Sequence, residues 1–203
     1  MKKIMTDIEL VQKMKLALDS NTVYATGGFG ASISNFKSQL ERYCKNSPEL
    51  KQKIIECAAK GKGFAFDCVG LVKSVSAWGW CADETRVYGG AVYESNGVDD
   101  WTIDTILNKC EEVSTDFSNI QAGEMLYMKG HVGVYIGDGM AIECTTAWEC
   151  KVQLTECWNV KKTGRGRAWE KHGRLPWITY SERPKPTKNK IVCPCCGAVF
   201  MQQ

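Results

Sequence analysis

The sequence has no apolar run near the roughly 18 to 20 residues that a membrane-spanning helix requires. Its first residues, MKKIMTDIEL, are charged but have neither the apolar stretch nor the small-residue cleavage site of a secretory signal peptide. We therefore expect a protein without a membrane span that is synthesised in the cytoplasm without an export signal.

The composition excludes a disordered or fibrous protein. With 203 residues, 44% of them hydrophobic and 24% charged, the chain resembles an ordinary globular protein and can bury a sizeable core. The segment RPKPTKNK, which begins at Arg183, has the composition of a linker. We predict one folded domain over residues 1–182, followed by a basic linker and a Cys-rich tail over residues 183–203.

Acidic residues are scarce in one part of the chain. Residues 160–190 contain ten Lys and Arg residues against two acids, Glu170 and Glu182, so their net charge is +8, whereas the rest of the chain carries −5. Such a segment can hold an anionic polymer, either nucleic acid or a cell-wall polyanion, and a solvated lysine-rich tail is the alternative. The basic residues form no nucleic-acid-binding motif, so nucleic acid is the less favoured partner.

The chain has eleven cysteines, but without an export signal a disulfide framework is a poor interpretation. Most of them are therefore expected to be reduced and buried. Cys193-Pro194-Cys195-Cys196 resembles half of a zinc ribbon, in which Cys193 and Cys196 would supply two thiolates. Zinc needs about four ligands. A partner, another domain or His172 would have to complete the site, and an unliganded tail is the alternative.

Hydrophobic periodicity predicts helices in the first half of the chain and strands beyond Gly123. This order favours an α+β fold with N-terminal helices packed on an antiparallel sheet. The predicted helices cover residues 7–19, 35–60, 100–112 and a stretch from Asp67 or Cys68 toward Trp78. The predicted strands cover residues 125–128, 131–136, 140–145, 167–169 and 177–180.

Cys68 stands at the predicted start of a helix, directly after Asp67. Asp67 can cap this helix, and the helix N-terminus favours a thiolate over a thiol. Gly70 has no side chain, so the helix can pack closely on another element. A cysteine at a helix start is more often a packed thiol, so the assignment of a nucleophile needs a base.

His131 is the candidate base, since it opens a strand whose valines form one face. If residues 137–139 form a three-residue hairpin loop, Met140 lies opposite Ile136 and the apolar residues of both strands share that face. Glu143 then lies diagonal to His131, within reach of a carboxylate–imidazole hydrogen bond. A two-residue turn would shift the register and move Glu143 among the valines, so the hydrophobic pattern selects against it.

Nucleophile, base and orienting carboxylate form the set of a cysteine hydrolase. The sequence resembles the NlpC/p60 family of cell-wall cysteine peptidases over about residues 24–180. The matching motifs are Tyr24-Ala-Thr-Gly27-Gly28, Asp67-Cys68-Val69-Gly70-Leu71 and His131-Val132-Gly133-Val134-Tyr135. The resemblance implies a papain-like fold, catalytic Cys68, His131 and Glu143, and substrate contacts from Tyr24, Gly28 and Asp67.

Three features depart from the family pattern. A predicted helical insertion over about residues 29–63 separates the Gly-Gly loop from the Cys helix. Val69 replaces the usual Ser, which affects substrate preference more than chemistry. Glu143 stands where the family most often has His, and a carboxylate can orient the base equally well.

The resemblance implies hydrolysis of peptidoglycan stem peptides between the gamma carboxyl of D-glutamate and the next diamino acid, with no cofactor required for catalysis. The protein would then act on the bacterial cell wall after release or delivery, as a phage or prophage endolysin does. A CHAP-type N-acetylmuramoyl-L-alanine amidase is one alternative. A non-catalytic wall-binding or zinc-mediated scaffold protein is the other.

The basic tail generates a first prediction. Removal of residues 183–203 should leave hydrolysis of small soluble stem peptides intact but weaken attachment to whole walls, because the cationic segment acts by long-range attraction. A wall co-sedimentation assay at rising salt concentration measures the effect. Loss of activity on soluble peptides would contradict the prediction and make the tail part of the site.

Overall fold

A computed structural model describes residues 1–33, 47–182, 190–192 and 199–201. Within these residues, helices and a curled sheet form a mixed α+β fold, which confirms the predicted class. The helices are α1 (Asp7–Asp19), α2 (Pro48–Ala59), α3 (Cys68–Ser76) and α4 (Ile103–Lys109). The strands are β1 (Met5–Thr6), β2 (Thr22–Tyr24), β3 (Phe29–Ser32), β4 (Phe64–Phe66), β5 (Glu111–Ser114), β6 (Met125–Met128), β7 (His131–Gly137), β8 (Met140–Thr145), β9 (Lys151–Cys157), β10 (Gly166–Arg167), β11 (Lys171–Arg174), β12 (Ile178–Thr179), β13 (Lys190–Val192) and β14 (Val199–Met201).

The large sheet has the strand order β10-β9-β8-β7-β6-β11-β5. Its pairs are antiparallel except for β10 on β9. A separate three-stranded sheet has the order β2-β4-β3, and β1 pairs with β12. In the tail, β13 and β14 form an antiparallel pair. None of the helices in the described part of the chain is long and apolar enough to cross a membrane.

Helix α3 lies in the centre of the domain. It packs on β7 and β8 of the large sheet, on β3 of the small sheet and on α1. Eight of its nine residues are buried, including Leu71, Val72 and Val75, which belong to the main hydrophobic core. The first residue of this central helix is Cys68, so burial of the helix also fixes the position of the thiol.

The β7–β8 hairpin differs from the predicted three-residue loop. Gly137 pairs with Met140, so the turn has only two residues, Asp138 and Gly139, both with positive φ. A two-residue turn of this kind matches the twist of antiparallel strands. A bulge at Ile136 takes up the extra residue. The register therefore returns to the predicted one further from the turn, where Val134 pairs with Ile142.

The predicted helical insertion over residues 29–63 is only partly helical. Residues 29–32 form strand β3, which pairs antiparallel with β4, and α2 covers only Pro48–Ala59. Residues 34–46 lie outside the described part of the chain. The predicted helix over residues 100–112 is shorter as well, because its last residues belong to β5.

Gly70 generates a prediction about stability. A Cβ atom at this position would lie 1.9 Å from the carbonyl oxygen of Gly28, so Gly70→Ala must push α3 away from the Gly-Gly loop. We expect a loss of about 1–3 kcal/mol in the free energy of unfolding, as overpacking usually costs. Gly164→Ala is the matched control, because its nearest contact would be an ordinary 3.4 Å. Equal denaturation midpoints for both variants would contradict the close approach.

Candidate active site

The start of α3 is held by the carboxylate of Asp67. Its Oδ1 accepts the N–H of Gly70 at 2.6 Å, so Asp67 caps the helix as predicted. Its Oδ2 accepts the N–H of Gly27 at 2.7 Å, and the Asp67 N–H donates to the Gly28 carbonyl at 2.8 Å. Both carboxylate oxygens are therefore engaged by backbone, and Asp67 ties the Gly-Gly loop to the residue before Cys68.

The sulfur of Cys68 lies at the beginning of β7. The backbone N–H groups of Val69 and Val132 lie close enough to the sulfur to affect its pKa, and Val132 directly follows His131. These donors lower the pKa of Cys68, but burial of the thiol and the nearby charge of Asp67 outweigh them and raise the pKa to about 11. The resting group is a thiol, so the expected thiolate requires a base that accepts its proton.

His131 and Glu143 form the predicted pair. His131 Nε2 lies 2.5 Å from Glu143 Oε2 across the β7–β8 ladder, and the His131 side chain is 13% exposed. Glu143 itself is fully buried. Burial alone would raise the pKa of Glu143, but the hydrogen bonds and charges around it, first those of His131, hold the pKa below its usual value. Glu143 is therefore an ionised carboxylate that can orient and stabilise a protonated His131.

Sequence reasoning missed three side chains around this pair. Thr155 Oγ1 donates to Glu143 Oε1 at 2.6 Å, and Arg167 reaches both carboxylate oxygens. The ring of Trp169 is stacked on His131 with 5.7 Å between centroids. The predicted strand over residues 167–169 contained a signal for two of them, because alternation would put Arg167 and Trp169 on the same face. In the structure the strand β10 covers only Gly166–Arg167, and Trp169 lies beyond its end.

Tyr24 and Gly28, the other predicted substrate contacts, lie close to the candidate nucleophile. Burial raises the pKa of the half-buried Tyr24, and the charges of Cys68 and Asp67 add to this effect, which reports their proximity. A pocket of about 420 Å³ opens beside the first turns of α3, and Gly28 and Asp67 contribute to its wall. Its other lining residues are Thr26, Gly27, Phe29, Val69, Gly70, Lys73, Trp78, Tyr93, Asp100, Trp101 and Thr102.

An ion pair between the buried Lys73 and the exposed Asp100 forms part of the wall of this pocket. The Lys73 ammonium is ion-paired with Asp100 and donates to the carbonyl of Trp101 at 3.1 Å. Burial would raise the pKa of Asp100, but the hydrogen bond and charge of Lys73 keep it low. Tyr93 donates to the other oxygen of Asp100 at 2.9 Å. The pocket thus combines aromatic walls with polar groups that already satisfy one another.

The predicted zinc ligands Cys193 and Cys196 lie outside the described residues. His172, which was a further candidate ligand, is fully buried and engaged on both ring nitrogens. Its Nδ1 is paired with Glu124, and its Nε2 contacts the carbonyl of Asp116 at 2.9 Å. His172 therefore belongs to the sheet interior rather than to a tail site. The residues that the structure describes contain no cluster of three or more potential metal ligands.

The cysteines of the described residues are free thiols. Five of these seven are buried, as predicted for most of the cysteines, whereas Cys81 is exposed and Cys110 is partly buried. No protein-family model matches the chain, and no curated protein matches it either. A functional interpretation therefore depends on the geometry of Cys68, His131 and Glu143.

The low pKa of Glu143 generates a prediction about pH and stability. The contribution of Glu143 to the free energy of unfolding is fully present above pH 4.5, the usual pKa of a glutamate. It is lost as the pH falls through the lowered pKa of Glu143 in the folded protein. Glu143→Gln should therefore cost about 2 to 4 kcal/mol at pH 7, because Arg167 loses its counterion. The difference from the unmodified protein should shrink below pH 4.5.

Chemical denaturation between pH 7 and pH 3 measures this difference. Glu149→Gln is the matched control, since Glu149 pairs with Arg165 and Lys151 on the surface with a side chain that is 42% exposed. We expect little change in stability for this control at any pH. A destabilisation by Glu143→Gln that stays constant across the whole pH range would contradict an ionised Glu143.

Proposed function

We propose that the protein is a cysteine hydrolase that cleaves amide bonds in peptidoglycan stem peptides. The observation that carries the proposal is the Cys68 thiol at the buried start of α3, beside a strand on which His131 contacts the ionised Glu143 at 2.5 Å. Thiol, imidazole and carboxylate in this order supply the nucleophile, the base and the group that orients the base. The α+β fold is compatible with the papain-like NlpC/p60 architecture that the motifs imply.

The proposed reaction begins with proton transfer from Cys68 to His131. The thiolate attacks the carbonyl carbon of the scissile amide, and the tetrahedral oxyanion forms near the backbone N–H groups at the start of α3. His131 then protonates the leaving amine, and the acyl group stays on the sulfur. Water, deprotonated by His131, hydrolyses this thioester and restores the thiol. Glu143 keeps the imidazole oriented and stabilises its protonated form.

The pocket beside α3 is the proposed cleft for the acyl part of the stem peptide. Its wall includes Asp67 and Val69, the two neighbours of Cys68 along the chain, whereas Cys68 and His131 are not among its lining residues. The aromatic side chains Phe29, Trp78 and Trp101 offer apolar contact. The specific bond, between D-glutamate and the next diamino acid, is carried by the motif resemblance. Action on the cell wall after release or delivery is part of the same proposal.

The nucleophile generates the decisive prediction. Cys68→Ala should abolish hydrolysis of purified peptidoglycan while leaving the denaturation midpoint nearly unchanged, because the substitution removes only a sulfur atom at a helix start. Mass spectrometry of the digested muropeptides identifies the new termini and separates an endopeptidase from an amidase. Products of neither kind from the unmodified protein would overturn the proposal.

Cys81→Ala is the matched control, because Cys81 is exposed and should be dispensable for activity. In this background, iodoacetamide should modify Cys68 faster than the fully buried Cys144 and Cys157. Uniform labelling of several cysteines with Cys68 unreactive would contradict its role as nucleophile.

A further inference from the structure

We propose that Arg167 is a positioning residue that balances the charge of Glu143, so that His131 takes its proton from Cys68 rather than from solvent. The inference rests on the proposed cysteine chemistry and extends it to a side chain outside the three motifs. Arg167 ends β10, the edge strand next to β9, and its side chain is 20% exposed.

The guanidinium of Arg167 makes two contacts with the carboxylate of Glu143. Its Nε donates to Glu143 Oε1 at 3.1 Å, and its Nη2 lies 2.9 Å from Oε2. A paired contact of this kind fixes both the distance and the plane of a carboxylate. Oε2 is also the oxygen that contacts His131, so any movement of Arg167 is transmitted to the imidazole.

Two indole rings hold the guanidinium in place. Its central carbon lies 5.0 Å from the ring of Trp148 and 5.8 Å from the ring of Trp169. The Trp169 ring is in turn stacked on His131, with an interplanar angle of 16°. A planar guanidinium suits this arrangement, whereas the compact ammonium of a lysine keeps the charge but cannot reproduce the two parallel contacts.

The ion pair between Arg167 and Glu143 affects the summed charge of the groups around His131. A carboxylate beside an imidazole favours the charged form of the imidazole, and a guanidinium bound to the same carboxylate opposes that effect. With Arg167 present, neutral His131, a Cys68 thiol and the Glu143–Arg167 pair together carry no net charge. Transfer of the thiol proton to His131 keeps that total at zero, so the ion pair of thiolate and imidazolium forms without charging the site.

The other ionisable groups near the thiol do not replace this contribution. Asp67 lies on the α3 side of Cys68, and Tyr24 lies on β2 with its pKa raised mainly by burial. Neither contributes a positive charge at neutral pH. Among the charged groups of the described residues that contact Glu143, Arg167 is the cation whose charge does not change with pH.

The test measures the pH dependence of two rates in Arg167→Met and Glu143→Gln. The first rate is kcat/KM for stem-peptide hydrolysis, and the second is iodoacetamide modification of Cys68, which needs no substrate. Loss of a fixed positive charge should move the acidic limb of both profiles to higher pH by roughly one unit, and loss of the carboxylate charge should move it to lower pH. A merely structural role would not produce opposite shifts.

Arg165→Met is the matched control, because Arg165 also lies over Trp148 but pairs with the exposed Glu149. Its profiles should coincide with those of the unmodified protein. Arg167→Lys keeps the charge and is the variant to use if Arg167→Met fails to fold. The acidic limb of both pH profiles of Arg167→Lys should stay where it is in the unmodified protein, while kcat/KM falls several-fold.

Acidic limbs of Arg167→Met that stay in place or move to lower pH would overturn the inference, as would unchanged kcat/KM in Arg167→Lys. If the unmodified protein hydrolyses no stem peptide, the proposed function fails. The modification profiles of Cys68 still decide the role of Arg167 in that case, because they report the proton balance of the site directly.

Discussion

The carboxylate of Asp67 holds the candidate site together, because its two oxygens bind backbone from two segments of the chain. One oxygen accepts the N–H of Gly70 in the first turn of α3, and the other accepts the N–H of Gly27 in the loop after β2. The absence of a side chain at Gly70 lets the Gly28 carbonyl approach the helix at a distance that a Cβ would prevent. Loop and helix start thus form one rigid unit, and Cys68 takes its position from that unit.

The position of the Asp67 carboxylate also has an electrostatic consequence for the Cys68 thiol. Burial raises the pKa of Asp67 despite its two N–H donors, and the carboxylate in turn helps burial to raise the pKa of Cys68 to about 11. The contact that positions the sulfur therefore works against its ionisation. A thiolate at neutral pH requires compensation from the strand side, where His131 is supported by the ionised Glu143. Positioning and activation of the thiol are thus carried by different halves of the fold.

Local chemistry made part of this arrangement predictable. The cap at Asp67 predicted the helix start at Cys68, and the alternation of β7 predicted the contact between His131 and Glu143. The predicted hairpin turn was wrong by one residue, and a bulge at Ile136 restored the register. Strand β9 was missed because its pattern is inverted: Gln153 and Thr155 are buried, whereas Leu154 is 39% exposed. A search for apolar faces therefore could not find Thr155, the side-chain partner of Glu143 on this strand.

The structure also contains a second histidine–carboxylate pair, and exposure distinguishes the two. His172 and Glu124 are both fully buried, and the carbonyl of Asp116 occupies the second ring nitrogen of His172. Both ring nitrogens of His172 are therefore engaged by protein groups, and neither is available to a substrate or a nucleophile. His131 is partly exposed, and its contact with Glu143 is made by Nε2, so Nδ1 is the nitrogen that the proposed chemistry would use. Of the two histidine–carboxylate pairs in the sheet, the fully buried His172–Glu124 pair stabilises the interior. The partly exposed His131–Glu143 pair is the one that the proposed chemistry uses.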